Sequence, residues 1–211
     1  ASVFGKACSL MRLDCRSLEF KYFPFDPKGY KLVLLNSQVK HELASSAYND
    51  RRKSCENVVA AMKKHWPNVD SLRDATYDML DEVRSEVSEE DALRAKYVIG
   101  EKYRVLEVCV ALEEGDYEEV GKKMYETHYG LSKEYEVSCP ELDFLNDVAH
   151  SCGVTGSRIM GGGFGGCTIN LVSDDLYANF IDTAKKAYKE KFGKEPIVID
   201  VVIGDGSRKL C

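Results

Sequence analysis

The sequence has no stretch able to cross a bilayer as a helix: apolar runs such as Leu32–Leu35 and Cys109–Leu112 stop far short of the ~20 residues required. Ala1 opens directly onto ASVFGKACSL, which shows no charged, apolar and small-residue regions in series of the kind that directs secretion. The absence of an initiating Met predicts excision from something longer. There is no excess of positive charge. Lys and Arg number 29 against 35 Asp and Glu, a formal charge of −6, which argues against a binder of nucleic-acid phosphates. The short basic run Arg51-Arg52-Lys53 reads as a solvated helix face. Eight cysteines are present, but Cys8, Cys15, Cys55, Cys109, Cys139, Cys152, Cys167 and Cys211 form no CxxC and no cluster. That scatter predicts free thiols in a reducing cytoplasm. His41, His65, His128 and His150 show no metal-ligand spacing, and no G-x-x-x-x-G-K-[ST] phosphate loop occurs. No internal repeat, low-complexity tract or long linker interrupts the chain.

What remains is a globular sequence, 44% apolar over 211 residues, enough to build a substantial core. Its first part reads as strands: Cys8–Asp14, Phe20–Phe23 and Lys31–Leu35, the last bounded by Pro27-Lys28-Gly29 and by Asn36-Ser37. Three strands in series suggest an antiparallel sheet. From Ser45 or Ser46, either able to cap a helix, Tyr48, Cys55, Val58, Val59, Met62 and Trp66 recur at helical spacing as far as Pro67. Helices then follow one another. Ser88 with Asp91 resembles a capping box for a helix running through Ile99 and Leu106 to Gly115; another covers Asp116–Glu134; a third begins at Pro140, whose missing N–H suits a first helical position. The end returns to strands at Ser157–Met160 and Cys167–Val172. A helix from Ser173 carries Leu176, Phe180, Ile181, Ala184, Tyr188 and Phe192 on one stripe, and Ile197–Ile203 closes as a strand. Segregated strands and helices predict an α+β fold, an antiparallel β-sheet packed with helices.

The most informative local feature is Gly161-Gly162-Gly163-Phe164-Gly165-Gly166. Five glycines in six residues cost more conformational entropy than any other composition, so the loop needs close approach to something or positive φ angles. Gly161, Gly163 and Gly166 satisfy G-x-G-x-x-G, yet Cys167-Thr168-Ile169-Asn170-Leu171-Val172 follows as strand, whereas a dinucleotide fingerprint opens a helix. The competing readings are a strained hairpin without a ligand and a backbone cradle for anionic oxygens.

With Ser157-Arg158-Ile159-Met160 before it and Cys167-Thr168 after it, this loop resembles the third motif of the GHMP small-molecule kinases. The stretch from Asn36-Ser37-Gln38-Val39-Lys40-His41 through Tyr48-Asn49-Asp50-Arg51-Arg52 is similar to the galactokinase branch of that family, as are Asp14–Glu19 and Tyr135–Asp143. The resemblance implies that residues 1–211 form a GHMP kinase C-terminal domain, with a helical block at about 45–151 inserted between β-rich ends. It implies galactose as substrate, phosphorylated at the anomeric hydroxyl by ATP with Mg²⁺. Tyr48 would contact the sugar, Gly161, Gly162, Gly163, Gly165 and Gly166 would lie beside sugar and phosphates, and Lys40 could face the transferring phosphoryl group. Read from the residues alone, Tyr48 is the first core residue of the stripe leading to Cys55 and Met62, and Lys40 is equally an exposed lysine.

The resemblance further implies what the rest of such a kinase supplies. A catalytic Asp is expected just upstream of Ala1, and most ligands of ATP and Mg²⁺ on an N-terminal domain, so that this chain alone would be inactive. Asp14, inside a strand, reads as structural, and Glu89-Glu90-Asp91 and Glu113-Glu114 as solvated helix ends. Two other readings keep the fold: a galactose-sensing regulator, and a kinase for a related sugar such as N-acetylgalactosamine. A dimerisation module with no ligand is the plainest one.

Overall fold

The computed structural model describes residues 3–40 and 44–207, with side chains for all of these but residues 44–46. Strands β1 (Ser9–Leu13) and β2 (Phe20–Pro24) pair as an antiparallel hairpin. Strand β3 (Tyr30–Asn36) is followed by helices α1 (Ala44–Lys63), α2 (Tyr77–Glu82), α3 (Glu89–Glu114), α4 (Tyr117–Tyr129) and α5 (Pro140–Ser151). The chain ends with β4 (Gly156–Ile159), β5 (Cys167–Ser173), α6 (Asp174–Phe192) and β6 (Ile197–Val201). Strands β4, β5, β3 and β6 form one sheet in that order, every pair antiparallel.

The expectation of one sheet from the first three strands is corrected. β3 leaves the hairpin and lies between β5 and β6. Its run Leu32-Val33-Leu34-Leu35 is apolar on both faces, and a strand of that kind is stable only in a sheet interior covered on both sides. Val33 and Leu35 face α5 and α6, packing with Leu145, Phe180, Ala184 and Tyr188, all fully buried. Leu32 faces the other way, toward Phe23 and Phe25 of the hairpin region and Leu112 of α3. A separate cluster, including Val58, Met62, Leu80, Val83, Ala95 and Ile99, joins α1, α2 and α3.

Local signals account for most helix ends. Ser88 caps α3 by accepting the Asp91 N–H, and Gly115 closes it in the left-handed conformation at φ +71°. Asp116 caps α4 by accepting from Glu119 N–H, and Pro140 holds the first position of α5. The helix expected over Asp116–Glu134 is α-helical only to Tyr129, after which Gly130–Glu134 widens into a π turn. Gly130 lies against the Tyr97 ring, where an added Cβ would come within 2.3 Å. Ser173 occupies the cap position of α6 without a capping bond to the backbone, and the last strand stops at Val201 instead of Ile203. α1 starts at Ala44, so Ser45 and Ser46 lie inside the helix; their side chains, like residues 41–43, fall outside the described set.

Asp14 sits just past β1, not within it, and its carboxylate pairs with the Arg73 guanidinium while Asp74 takes Arg16 at 2.8 Å. These crossed pairs fasten the hairpin turn to residues 71–74. Hydrogen bonds from the two arginines, with backbone N–H groups added, hold both carboxyls well below the usual carboxylate range. A depressed folded-state pKa contributes stability that is present above the unfolded value near ~4 and lost as pH falls below it. The thermal midpoint should therefore be level from pH 7 to 5 and drop below pH 4, with a shallower acid drop in Asp14→Asn; thermal scans across that range check it.

Candidate functional site

The glycine loop joins β4 to β5, with the Met160 N–H donating to the Cys167 carbonyl at its base (2.9 Å). A loop between antiparallel strands rules out the strand-to-helix context of a dinucleotide fingerprint. Within it φ is positive at Gly161, Gly163, Gly165 and Gly166, and also at Phe164. Three neighbours press on the loop. The Gly166 carbonyl accepts both the Ser37 N–H and the Ser37 hydroxyl at 2.8 Å, and the Gly166 N–H donates to Val39 at 3.3 Å, fixing the loop to the exit of β3. The Phe164 N–H donates to the Val137 carbonyl at 2.6 Å, fixing it to the segment before α5. The third is Tyr48 of α1. Its phenol oxygen would lie 1.5 Å from a Cβ placed on Gly162, and its ring meets Phe164 edge-on at 5.3 Å.

Tyr48 is thus not a core residue of its helical stripe. Val58 and Met62 are fully buried, whereas Tyr48 is 38% exposed and packs on the loop. Partial burial raises its phenol above the ordinary value, so it stays protonated at neutral pH and can both donate and accept a hydrogen bond. Lys40 is exposed and follows Val39, whose carbonyl abuts Gly165. The structure therefore brings Tyr48 together with the loop, whose Gly161 and Gly162 are exposed beside it while Gly163 and Gly165 are buried against Val137 and Val39, and places Lys40 next to Val39 in sequence.

Arg51 corrects another expectation. Its side chain is 13% exposed and no solvated face: Nε donates to the Tyr135 carbonyl at 3.0 Å and an Nη to Glu136 at 2.6 Å, with the guanidinium 5.8 Å from the Phe164 ring centre. One turn along from Tyr48, it holds the 135–137 segment under the loop. Sequence reasoning gave this segment no role, although Tyr135–Asp143 was one of the blocks carrying the resemblance. The missing signal is Glu136, a non-glycine residue at φ +52°, which is invisible to periodicity. Among the described residues no three His, Cys, Asp or Glu side chains converge to hold a cation. The Phe164 and Gly166 N–H groups are taken by Val137 and Val39, so the side-chain-free backbone open to anionic oxygens is the exposed stretch Gly161-Gly162.

Residues 109–190 match the family model described as GHMP kinases C terminal. A galactokinase of Clostridium beijerinckii is 40% identical over 208 residues, covering 98% of this chain and 53% of its own length. The human galactokinase is 39% identical over 211 residues, covering 100% and 52%. The crystal structure of Lactococcus lactis galactokinase complexed with galactose superposes with a TM-score of 0.91 at 29% identity, covering 98% of this chain and 54% of that one. A mevalonate kinase from L. major, at 19% identity and a TM-score of 0.58, shares the fold. The chain spans about half the length of the curated relatives it matches. The chain therefore has the fold of a GHMP kinase C-terminal domain, matches that family model at residues 109–190, and is similar along its length to the C-terminal portion of galactokinases.

Proposed function

We propose that this chain is the C-terminal part of an ATP-dependent galactokinase and supplies one wall of the sugar site. In that reaction the anomeric hydroxyl of galactose attacks the γ-phosphorus of ATP, its proton passes to a base, and ADP leaves. The base, the Mg²⁺ ligand and most of the ATP cradle belong to an N-terminal domain that this chain packs against, so the chain alone is inactive. Residues 1–211 form one domain with the helical block inserted. The observation that carries this reading is Tyr48, whose phenol lies against Gly162 on an exposed surface. A phenol can serve a ring hydroxyl as donor or acceptor, and side-chain-free backbone beside it leaves room for sugar and phosphate oxygens.

Two further observations support it. Ile197 and Ile199 stand 49% and 43% exposed on β6, and Ile197 pairs with Asn36 at the entrance to the loop's support, an apolar margin suited to packing against another domain. The seven described cysteines are all free thiols, Cys8 and Cys15 exposed, which supports a reducing cytoplasmic setting.

Tyr48→Phe in the full-length protein should raise the KM for galactose about 5- to 10-fold, the loss of one hydrogen bond, with the thermal midpoint unchanged. Steady-state kinetics check this. An unchanged KM would remove Tyr48 from the sugar site, and galactose binding without ADP release would replace the kinase by a sensor.

A further inference from the structure

Asp143 lies in the first turn of α5, and its carboxylate gathers donors from three segments. Oδ1 accepts the Ser138 hydroxyl at 2.5 Å and faces Nε2 of the buried His128 at 3.3 Å; Oδ2 accepts the Ser132 hydroxyl at 2.8 Å, with the exposed Lys133 ammonium 3.6 Å away. A carboxylate can take all of these because it offers only acceptor lone pairs, about four in number. Ser138 directly follows Val137, whose carbonyl receives the Phe164 N–H and would meet a Cβ on Gly163 at 2.0 Å. On its other side the same segment is held by Arg51 through the Tyr135 and Glu136 carbonyls, and by the Val137 N–H donating to Leu131 at 2.9 Å.

We propose that Asp143 is a positioning residue for the sugar site: through Ser138 it fixes the Val137 carbonyl, and through that carbonyl the height and order of the glycine loop against Tyr48. This rests on the reading of the loop as part of a galactose site. Asp143 and Ser138 touch no substrate in this account. The contact they govern is backbone to backbone, and a shift of a few tenths of an ångström at Val137 must move either Phe164 or Gly163. Val137 is 1% exposed, so a displacement of its carbonyl is passed to the loop residues packed on it.

Ser138→Ala, Ser138→Thr and Asp143→Asn variants of the full-length protein test it by two readouts. Hydrogen exchange without ligands reads the protection of the Phe164 amide, and steady-state kinetics read galactose KM against kcat. Ser138→Ala and Asp143→Asn should speed Phe164 exchange about 10-fold and raise KM several-fold more than they lower kcat, with amides of α6 unaffected. Ser138→Thr, which keeps the hydroxyl, should restore both. Unchanged Phe164 protection in Ser138→Ala would overturn the proposal, and so would a general loss of protection that includes α6. Ser138→Ala decides the matter if Asp143→Asn does not fold. Faster Phe164 exchange in a protein that never turns over galactose would retain the positioning role and overturn only the assignment of the substrate.

Discussion

Gly163→Val in the full-length protein should lower kcat/KM for galactose by about 100-fold or more while the protein stays folded. Two independent strains act at this position. At φ +83° a β-branched side chain collides with its own backbone, and its Cβ would also lie 2.0 Å from the Val137 carbonyl oxygen and 2.9 Å from its carbon. Neither neighbour can yield, because that carbonyl is already bonded to the Phe164 N–H and its segment is clamped by Arg51. The loop must therefore lift, carrying Gly162 away from Tyr48. Gly161→Ala is the informative companion. Its φ is similar at +80°, but nothing lies within 4 Å of the added Cβ, so it carries conformational strain alone, about 1 kcal/mol, and should lose far less activity. Equal losses in the two variants would show that loop height is not what matters. Near-normal kinetics in Gly163→Val would favour a loop with no ligand.

Gly121→Val should be the corresponding lesion in the scaffold. α4 crosses β4 at a glycine-to-glycine contact: a Cβ on Gly121 would meet the Thr155 carbonyl oxygen at 2.1 Å, and one on Gly156 would meet the Gly121 Cα at 2.5 Å. Both obstacles are backbone, in a helix and next to a strand, so relief requires separating the two elements. That separation would strip cover from Val120 and Leu171, which share one apolar cluster. Overpacking of this kind costs about 3 kcal/mol, and a domain of this size should lose about 6 to 12 °C of thermal midpoint. Galactose KM should change little in the fraction that is folded, since the loop's own supports are Ser37, Val39, Val137 and Tyr48. Thermal denaturation measures the first, and kinetics well below the midpoint the second. An unchanged midpoint would mean that α4 does not seat on β4 as described.

Features resting on local chemistry were legible in the sequence. Ser88 and Gly115 bracket α3, Pro140 opens α5, and the stripe Phe180, Ile181, Ala184 and Tyr188 faces the sheet from α6, all as their spacing and backbone preferences required. The α+β class followed from the segregation of strands and helices, and the glycine loop from its composition. Features resting on contacts distant in sequence were not. β3 pairs with β5 and β6, more than 130 positions away, and only its two-sided apolar run hinted at an interior place. Arg51 looked solvated because nothing in its neighbourhood of the sequence announces the carbonyls at 135 and 136. The strap that holds the loop depends on Glu136 at positive φ and on Asp143 collecting hydroxyls from Ser132 and Ser138, a polar assembly with no hydrophobic period to betray it. Tyr48 shows the two layers together. Its residue type suggested a sugar contact only beside the family resemblance, whereas its place against Gly162 is a matter of packing.

The central claim is that this chain forms half of a galactose-phosphorylating site. Its most direct test is ADP release with MgATP, with and without galactose, by the full-length polypeptide and by residues 1–211 alone. The account predicts galactose-dependent ADP release, with galactose 1-phosphate formed, by the full-length protein and none by residues 1–211. Failure of galactose to stimulate ADP release by the full-length protein, or turnover by residues 1–211 alone, would contradict it.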